Sequence, residues 1–396
     1  MSYSLLSGVK VLELSLLAPD LLGMHLADLG ADVIKIEQPP DGDYVRSLGA
    51  HRAGGLSFMH LRWNRGKRSL ALDCKQARGR ELLQQLAMAA DVVIDGLRAG
   101  AAERCGAGYD ELNAVNPALV YCSLSGTGRS GPYQRLATHG VAYDAFAGLA
   151  PPVDDARDGG PRIPPHPSIG IHAAALYAAM AVCAALVKAR ETGVGSRFDI
   201  AELDASVVWQ AESLACASDA EPPGRFDLGP SVRYQYYRSS DDRVVLFQAS
   251  ERKFWRNFCA AVGRLDLFDA KPGAVVGDHA RGDEELRREL AAIFATRTQQ
   301  EWIALFLEAD VPGAPVYRVE ELADDPHVRQ RELLMQQHHP VAGDIRLVST
   351  PVRAAGETFA PAPAPAAGEH SDEILRELLG LGADDIAKLR ADGVVS

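Results

Sequence analysis

Paired cysteines and long apolar runs are both missing from this sequence of 396 residues. Its six cysteines include no CxxC pair, which argues against zinc or redox use and favours free thiols in a reducing compartment. The longest apolar stretch, 173–187, is too short to span a bilayer and predicts a buried helix. The N-terminus has no basic region ahead of an apolar run, so it lacks the pattern of a signal peptide. These absences predict a cytoplasmic protein without a bound metal.

Positive charge and nucleotide-binding motifs are also scarce. The chain has 41 Lys and Arg residues against 53 Asp and Glu residues, which argues against a nucleic-acid or anionic-membrane binder. It contains no P-loop motif, and GTGRSG at 126–131 does not have the glycine spacing of GxGxxG. We therefore expect neither a kinase nor a simple dehydrogenase, and an acidic ligand would need a local basic cluster.

Strand-like and helical segments alternate through the first third of the chain. This alternation predicts an α/β fold with a doubly wound parallel sheet. The predicted strands are 9–14, 32–38, 69–74, 91–96 and 120–126, and the predicted helices are 19–31, 77–90 and 109–115.

The pattern changes after a long alanine-rich helix predicted at 172–190. Residues 218–230 have the composition of a linker, and an antiparallel strand pair and three helices are predicted beyond it. The Pro/Ala-rich segment 360–368 is expected to be an extended linker, followed by two short helices. We predict a large α/β domain at 1–217, completed by 331–396, and a small α+β domain at 226–330.

Six phrases occur in an order typical of one enzyme family. Together they resemble the class III CoA-transferase family, which also contains α-methylacyl-CoA racemases and carnitine-type CoA enzymes. The resemblance implies a Rossmann-like large domain without a nucleotide fingerprint, a small domain and an interlocked dimer. It also implies an acyl-CoA substrate, so that coenzyme A is part of the substrate and no separate cofactor is expected. The phrases are LADLGADVIKIEQPPDGD, NRGKRSLALDCK, ADVVIDGLRAG, SGTGRSGPY, RETGVGSRFDIAELDA and GEHSDEILRELLGLG.

Several cations stand beside the predicted strand ends, where an α/β sheet often binds a ligand. Arg65 and Lys67 belong to a basic cluster that also includes Asn64 and Arg68. The resemblance implies that Lys75 and Arg98 contact the nucleotide end of CoA, and that residues 72–75 line the adenine pocket. The alternative is that these are ordinary solvated side chains. The predicted CoA-binding residues are Arg65, Lys67, Leu72, Asp73, Cys74, Lys75 and Arg98.

The catalytic pattern of the family is only half present. By resemblance, His139 stands on the family histidine and Glu251 on the family glutamate, which pair on one side of the substrate. Gly140 and Ile171 stand where the racemases have two aspartates. The second of these aspartates, at the start of the long helix, is also the nucleophile of the family's CoA-transferases. No Asp or Glu occurs between Asp158 and Glu191.

Three explanations are open. His139 with Glu251 would run one-base enolate chemistry on an acyl-CoA. Alternatively, His172 or His166 replaces the missing acid and restores a two-base racemase. The third explanation is a subunit that pairs with an Asp-bearing paralogue.

Each histidine also has a simpler interpretation. His139 would be a buried structural histidine, His166 a loop residue between prolines, and His172 a partner of a helix end or carbonyl. Asp144, five residues after His139, could stand in for the missing acid, but we expect its side chain to face away.

We therefore predict an acyl-CoA enzyme with isomerase-, racemase- or lyase-like enolate chemistry. Its predicted catalytic residues are His139, Glu251 and His172. The alternatives are a CoA-transferase, possibly one subunit of a heteromer, and an inactive CoA-binding protein. The expected assembly is a homodimer, or a heteromer with an Asp-bearing paralogue, that binds neither nucleic acid nor membrane.

Overall fold

The computed structural model describes residues 2–49, 52–218 and 228–396. Most of the linker predicted at 218–230 therefore lies outside the described residues. The chain divides into a larger unit, 1–211 with 332–396, and a smaller unit, 212–331. The predicted boundary between residues 330 and 331 is one residue from the observed one.

A six-stranded sheet forms the centre of the larger unit. All of its neighbouring strands are parallel, in the order β10-β7-β6-β1-β2-β5, so the predicted parallel α/β sheet is confirmed. These strands are β1 (Lys10–Ser15), β2 (Asp32–Glu37), β5 (Arg68–Ala71), β6 (Val92–Gly96), β7 (Val120–Ser125) and β10 (Ser196–Ala201).

Helices cover both faces of this sheet, as the doubly wound prediction requires. Alternate residues of β1 point to opposite faces, because side chains alternate along a strand. Leu12 packs in one core with Leu82 and Leu375, and Val11 packs in the other with Leu22 and Ala174. The helices are α1 (Asp20–Asp28), α2 (Phe58–Trp63), α3 (Ala77–Met88), α4 (Ala101–Arg104), α5 (Tyr109–Val115), α6 (Val141–Phe146), α7 (Ile169–Thr192), α8 (Glu202–Val208), α15 (Ser371–Leu379) and α16 (Ala383–Ala391). A further helix, α9 (Ala211–Ser218), follows α8.

Helix α7 is longer than the apolar run that predicts it. It has 24 residues, and by length and composition alone it could cross a membrane. The core helix of a soluble protein passes the same test, and Ala174, Ala178 and Val182 of α7 are fully buried against the sheet.

The Pro/Ala-rich segment 360–368 is extended, as predicted, but it does not link the two units. Its backbone carbonyls are bound along the larger unit: Gly66 N–H donates to Ala362 O at 2.9 Å, and Arg46 Nη1 donates to Pro365 O at 2.7 Å. The linker interpretation is therefore wrong, since these bonds fix the segment to the larger unit.

Three short hairpins complete the larger unit. They consist of β3 (Arg52–Ala53) with β4 (Leu56–Ser57), β8 (Val153–Asp154) with β9 (Pro161–Arg162), and β14 (Leu334–His339) with β15 (Gly343–Val348).

The smaller unit has a three-stranded antiparallel sheet and, in the described part of the chain, six α-helices, one of which is α9 without its first residue. The predicted antiparallel strand pair is confirmed, with Tyr237 opposite Val245. Phe247, Phe258 and Phe294 pack in its aromatic core. The elements are β11 (Tyr234–Arg238), β12 (Val244–Gln248), β13 (Gly313–Val316), α10 (Arg252–Ala261), α11 (Leu265–Ala270), α12 (Glu284–Phe294), α13 (Gln299–Ala309) and α14 (Pro326–Gln330).

Candidate active site at the start of helix α7

The first turn of α7 carries an apolar residue that is packed into the core. Ile171 is only 7% exposed and lies in a cluster with Leu21, Met24, Trp63 and Tyr143. The position that the resemblance assigns to a catalytic aspartate is thus occupied by a packed hydrocarbon side chain. A carboxylate at this position would have to lie among these apolar side chains, which disfavours its charged form.

A carboxylate nevertheless reaches the same helix end from a different element. Asp144 of α6 is fully buried, and its Oδ2 and Oδ1 accept the backbone N–H groups of Ile169 and Gly170 at 2.9 and 2.8 Å. Ser206 Oγ of α8 donates to Oδ1 at 2.9 Å. The expectation that Asp144 faces away is therefore wrong. Asp144 caps α7, whose own N-cap Ser168 makes no side-chain capping bond, and its charge suits a helix N-terminus.

Gly170 makes this close approach possible. A Cβ on Gly170 would lie 2.1 Å from Ser206 Oγ and 3.1 Å from Asp144 Oδ1. Such contacts are shorter than packed atoms tolerate, so a larger residue would push α6 or α8 away from the helix start. Glycine at the second residue of α7 thus fixes the position of the Asp144 carboxylate.

Asp144 also holds a histidine at the helix start. His166 Nε2 lies 2.9 Å from Asp144 Oδ2, and the His166 side chain is 10% exposed. The other three partners of Asp144 are donors, so we assign the proton of this bond to Nε2. This tautomer leaves Nδ1 as a lone-pair acceptor, and an ionised Asp behind an imidazole stabilises the imidazolium that forms when it takes a proton. Asp144 and His166, the His–Asp dyad, can therefore act as a general base.

A second buried carboxyl lies beside the dyad. Glu202, the first residue of α8, is buried and shares a hydrogen bond with the Tyr143 hydroxyl, while its Oε1 has no partner among the described residues. Burial raises the pKa of Glu202 to about 7; the Tyr143 hydrogen bond opposes this rise and the Asp144 charge adds to it. Sequence reasoning missed Glu202, because nothing in its local pattern shows that α8 carries it under the start of α7.

His139 lies on the loop immediately before α6. It is exposed, so the alternative of a buried structural histidine is wrong. Its neighbour Gly140 has φ 52° and ψ −109°, a conformation that only glycine adopts readily. An aspartate at this position, as in the family's racemases, would be strained in this backbone. The backbone at this position therefore suits glycine and disfavours an acid.

His172 is half-buried in the first turn of α7, one residue beyond Ile171. Burial lowers its pKa, the Arg62 charge lowers it further, and the Asp144 charge opposes both. Among the described residues, the His172 ring has no hydrogen-bond partner, whereas the His166 ring has Asp144. Of the two histidines that could replace the missing acid, His166 therefore has the geometry of an oriented base.

Glu251 lies in the smaller unit, at the N-cap of α10. Its Oε2 accepts a hydrogen bond from Ser250 Oγ at 3.0 Å. His139 belongs to the larger unit and Glu251 to the smaller one, so their pairing stays a prediction.

Arg65 and Lys67 are both engaged inside the larger unit. Arg65 binds Asp28 through Nε and Nη2 at 2.9 and 2.6 Å, and Lys67 Nζ binds Glu13 Oε2 at 2.6 Å. Both cations are almost fully buried. These positions do not support their predicted contact with CoA, because each charge is already neutralised by a carboxylate.

The remaining predicted CoA residues follow strands β5 and β6. Lys75 and Arg98 are exposed beyond the carboxyl ends of these strands, so they are available to an anionic ligand, and their contact with CoA stays a prediction. Asp73 accepts the backbone N–H of Lys75 at 3.0 Å. Leu72 and Cys74 instead pack in the core, and burial raises the pKa of the Cys74 thiol to about 12. Their side chains do not line a surface pocket.

No set of metal ligands is found in the described part of the chain. Within residues 2–49, 52–218 and 228–396, no group of three or more His, Cys, Asp or Glu side chains is placed to hold an ion.

Comparison with known proteins identifies the family. Residues 6–371 match CoA-transferase family III. The chain belongs to this family. Among solved structures, a CAIB/BAIF family protein from Brucella suis is similar, with a TM-score of 0.76, 27% sequence identity, and coverage of 96% of this chain and 100% of that chain.

Curated relatives of this family III chain include proteins named for two activities. The succinyl-CoA:glutarate CoA-transferase of Homo sapiens is 30% identical and covers 98% of this chain and 90% of its own length. The succinyl-CoA–D-citramalate CoA-transferase of Chloroflexus aurantiacus is 32% identical, with 98% of both chains covered. The human alpha-methylacyl-CoA racemase is 29% identical and covers 98% of this chain and 97% of its own length. The family and its acyl-CoA chemistry are thus shown, and the relatives include both transferases and a racemase.

Proposed function

We propose that this family III enzyme moves the α-proton of an acyl-CoA thioester, in an isomerase-, racemase- or lyase-like reaction, and uses histidines where its relatives use aspartate. The observation that carries the proposal is the His–Asp dyad at the start of α7, with His166 Nε2 at 2.9 Å from Asp144 Oδ2. His166 acts as the base, and Asp144 orients its ring and stabilises its charged form.

The reaction needs a base beside the α-carbon and a donor that returns the proton. His166 Nδ1 takes the proton, which leaves an enolate on the thioester. His139 is the second group of the proposal: it lies two residues before α6, the helix that carries Asp144. Return of the proton from His139 gives the opposite configuration, whereas return from His166 gives exchange without inversion.

The apolar helix start supports proton transfer over acyl transfer. Transfer through the enzyme needs a free carboxylate that attacks the thioester carbonyl. Ile171 has no such group, and Asp144 is fully buried with four hydrogen-bond partners. A carboxylate held in this way is a poor nucleophile, because attack would break bonds that fix α7.

The test is deuterium exchange. The protein is incubated in D₂O with a series of 2-methylacyl-CoA thioesters, and deuterium at the α-carbon is followed by mass spectrometry and NMR. We expect exchange in the wild type, and a loss of about 100- to 10,000-fold in His166→Gln, the usual contribution of a general base. His338→Gln is the matched control, since His338 forms an exposed pair with Asp344 at 2.8 Å. Equal rates in His166→Gln and His338→Gln would contradict the role of the dyad.

A second candidate function is CoA transfer, favoured by the names of relatives such as the human and Chloroflexus proteins. In this chain it would require a partner subunit that supplies the carboxylate, or transfer without an enzyme-bound acyl group. Mass spectrometry of the intact chain after incubation with acyl-CoA tests the usual route. An acyl or CoA adduct on a carboxylate of this chain would support CoA transfer. It would contradict the inference that a chain with Ile171 at this position does not transfer acyl groups through the enzyme.

A further inference from the structure

Three basic side chains meet beside the start of α7, outside the His–Asp dyad. His25 lies in the last turn of α1, Arg62 in the last turn of α2 and His172 in the first turn of α7. Helix α1 packs against both α2 and α7, and the charges of Arg62 and His172 both act on His25. All three are partly buried.

Arg62 lacks the partners that the neighbouring arginine has. Its Nε is buried and has no hydrogen-bond partner among the described residues. The carboxylate within reach, Asp28, is already bound by Arg65 through both oxygens, at 2.9 and 2.6 Å. A buried guanidinium N–H without an acceptor is unfavourable unless a ligand supplies one.

The pKa values of both histidines reflect burial and the positive charge of Arg62. Burial, together with the charges of Arg62, Arg65, His172 and Lys67, lowers the pKa of His25 to about 4. Burial and Arg62 also lower the pKa of His172, against the pull of Asp144. The Arg62 charge thus acts on both histidines, and a bound anion would offset it.

We propose that His25, Arg62 and His172 form a binding site for an anionic group, and that this group is a carboxylate on the acyl chain of the substrate. A guanidinium binds a carboxylate with two parallel N–H bonds, and imidazoles beside it add further donors when protonated. His172 lies in the first turn of α7, so a carboxylate held there lies at the helix start where the proposed function places the acyl-CoA. The inference rests on the proposed function, which places the acyl-CoA at this helix start.

The phosphates of CoA are a second source of the same anionic chemistry. The two sources differ in what the affinity depends on: a site for phosphate binds every acyl-CoA equally, whereas a site for an acyl carboxylate discriminates between acyl chains. Pentanoyl-CoA and glutaryl-CoA separate them, because the two have five-carbon acyl chains that end in a methyl group and a carboxylate.

The experiment is calorimetric titration of the full chain with glutaryl-CoA, pentanoyl-CoA and CoA. We expect the wild type to bind glutaryl-CoA about tenfold or more tightly than pentanoyl-CoA, and Arg62→Met to reduce this preference to about twofold or less. Arg190→Met is the matched control, since Arg190 is an exposed arginine at the far end of α7. His172→Gln is the second variant and should reduce the preference partly, so that the test does not depend on the folding of Arg62→Met.

Proton uptake gives a readout on the wild type alone. A bound carboxylate favours the protonated forms of His25 and His172, so glutaryl-CoA should take up more protons from the buffer than pentanoyl-CoA. Titrations near pH 6 in two buffers of different ionisation enthalpy measure this difference.

Two results would overturn the inference. One is equal affinity of the wild type for glutaryl-CoA and pentanoyl-CoA. The other is an equal loss of affinity for both in Arg62→Met, which would assign the site to the phosphates of CoA. A protein that shows the preference but no α-proton exchange contradicts the proposed function alone, and exchange without the preference contradicts only the anion site.

Discussion

Two buried carboxyl groups of the site, Asp144 and Glu202, differ in how their oxygens are satisfied. Asp144 is surrounded by donors, with two backbone N–H groups, Ser206 and His166 around it. Glu202 is buried with one oxygen unpartnered and a pKa raised to about 7. Burial therefore favours the neutral form of Glu202, and the Asp144 charge beside it adds to this preference.

The raised pKa makes Glu202 a source of pH-dependent stability. Unfolding returns its pKa to about 4.5, so the unfolded state ionises first as the pH rises. The folded state is thus progressively disfavoured between pH 4.5 and 7, by an amount on the order of 3 kcal/mol that is constant above both values. Glu202→Gln removes this loss and keeps a partner for Tyr143.

Urea unfolding at pH 5, 6, 7 and 8 tests this expectation. The stability of Glu202→Gln relative to the wild type should increase with pH up to about 7 and then level off. Glu308→Gln, at an exposed position of α13, is the matched control and should show no such trend. A difference between Glu202→Gln and wild type that stays the same at every pH would contradict the raised pKa.

At the scale of elements, the site depends on how α6, α7 and α8 meet. Asp144 of α6 caps α7, Ser206 of α8 supports Asp144, and Gly170 of α7 leaves room for both. Each helix thus holds a residue that the other two need. A change in packing at this junction should move the carboxylate and the histidine together.

Gly170→Ala tests this junction. A methyl group at this position meets Ser206 Oγ, and we expect a loss of about 1–3 kcal/mol in unfolding free energy, as for other overpacked sites. In a Ser206→Ala background the same change should be less destabilising by about 1 kcal/mol, because the nearest atom is gone. Chemical denaturation of the four proteins of this double-mutant cycle gives the coupling. Simple additivity would mean that the Ser206 hydroxyl does not limit the space at Gly170.

The sequence predicts the elements well where the apolar pattern is regular. Strands β1, β2, β6 and β7 and helix α3 lie within a few residues of their predicted ranges, because each buries a periodic set of side chains. The sequence does not predict which side chains of distant elements meet. The local pattern around Asp144 predicts that its side chain faces away. Only the packing of α6 on α7 shows that the carboxylate reaches the start of α7.

The basic residues at 62–68 show the same limit of prediction from sequence. A cluster of basic residues in the sequence suggests a ligand, but Arg65 and Lys67 are bound by Asp28 and Glu13, which are distant in sequence. Arg62, which sequence reasoning did not single out, is the member of this segment whose Nε lacks a partner in the described part of the chain.

At the scale of the whole molecule, the family resemblance implies an interlocked dimer. The chain has a mass of 42.5 kDa, so light scattering coupled to size-exclusion chromatography should give about twice this value for the purified protein. The mass should not fall on dilution, because interlocked subunits separate only by unfolding. A monomer mass at micromolar concentration would contradict the predicted homodimer. It would favour the alternative of a heteromer with an Asp-bearing paralogue.

The dyad of Asp144 and His166 is proposed to move the α-proton of the substrate, in a chain that has Ile171 where the family pattern has an aspartate. The most direct measurement is one reaction in D₂O that contains the wild-type protein, a 2-methylacyl-CoA and a dicarboxylic acid as acyl-group acceptor. Mass spectrometry follows both deuterium at the α-carbon and the CoA thioester of the acceptor. We expect deuterium incorporation without the new thioester, and loss of that incorporation in His166→Gln. Formation of the new thioester without deuterium would contradict the proposed proton transfer.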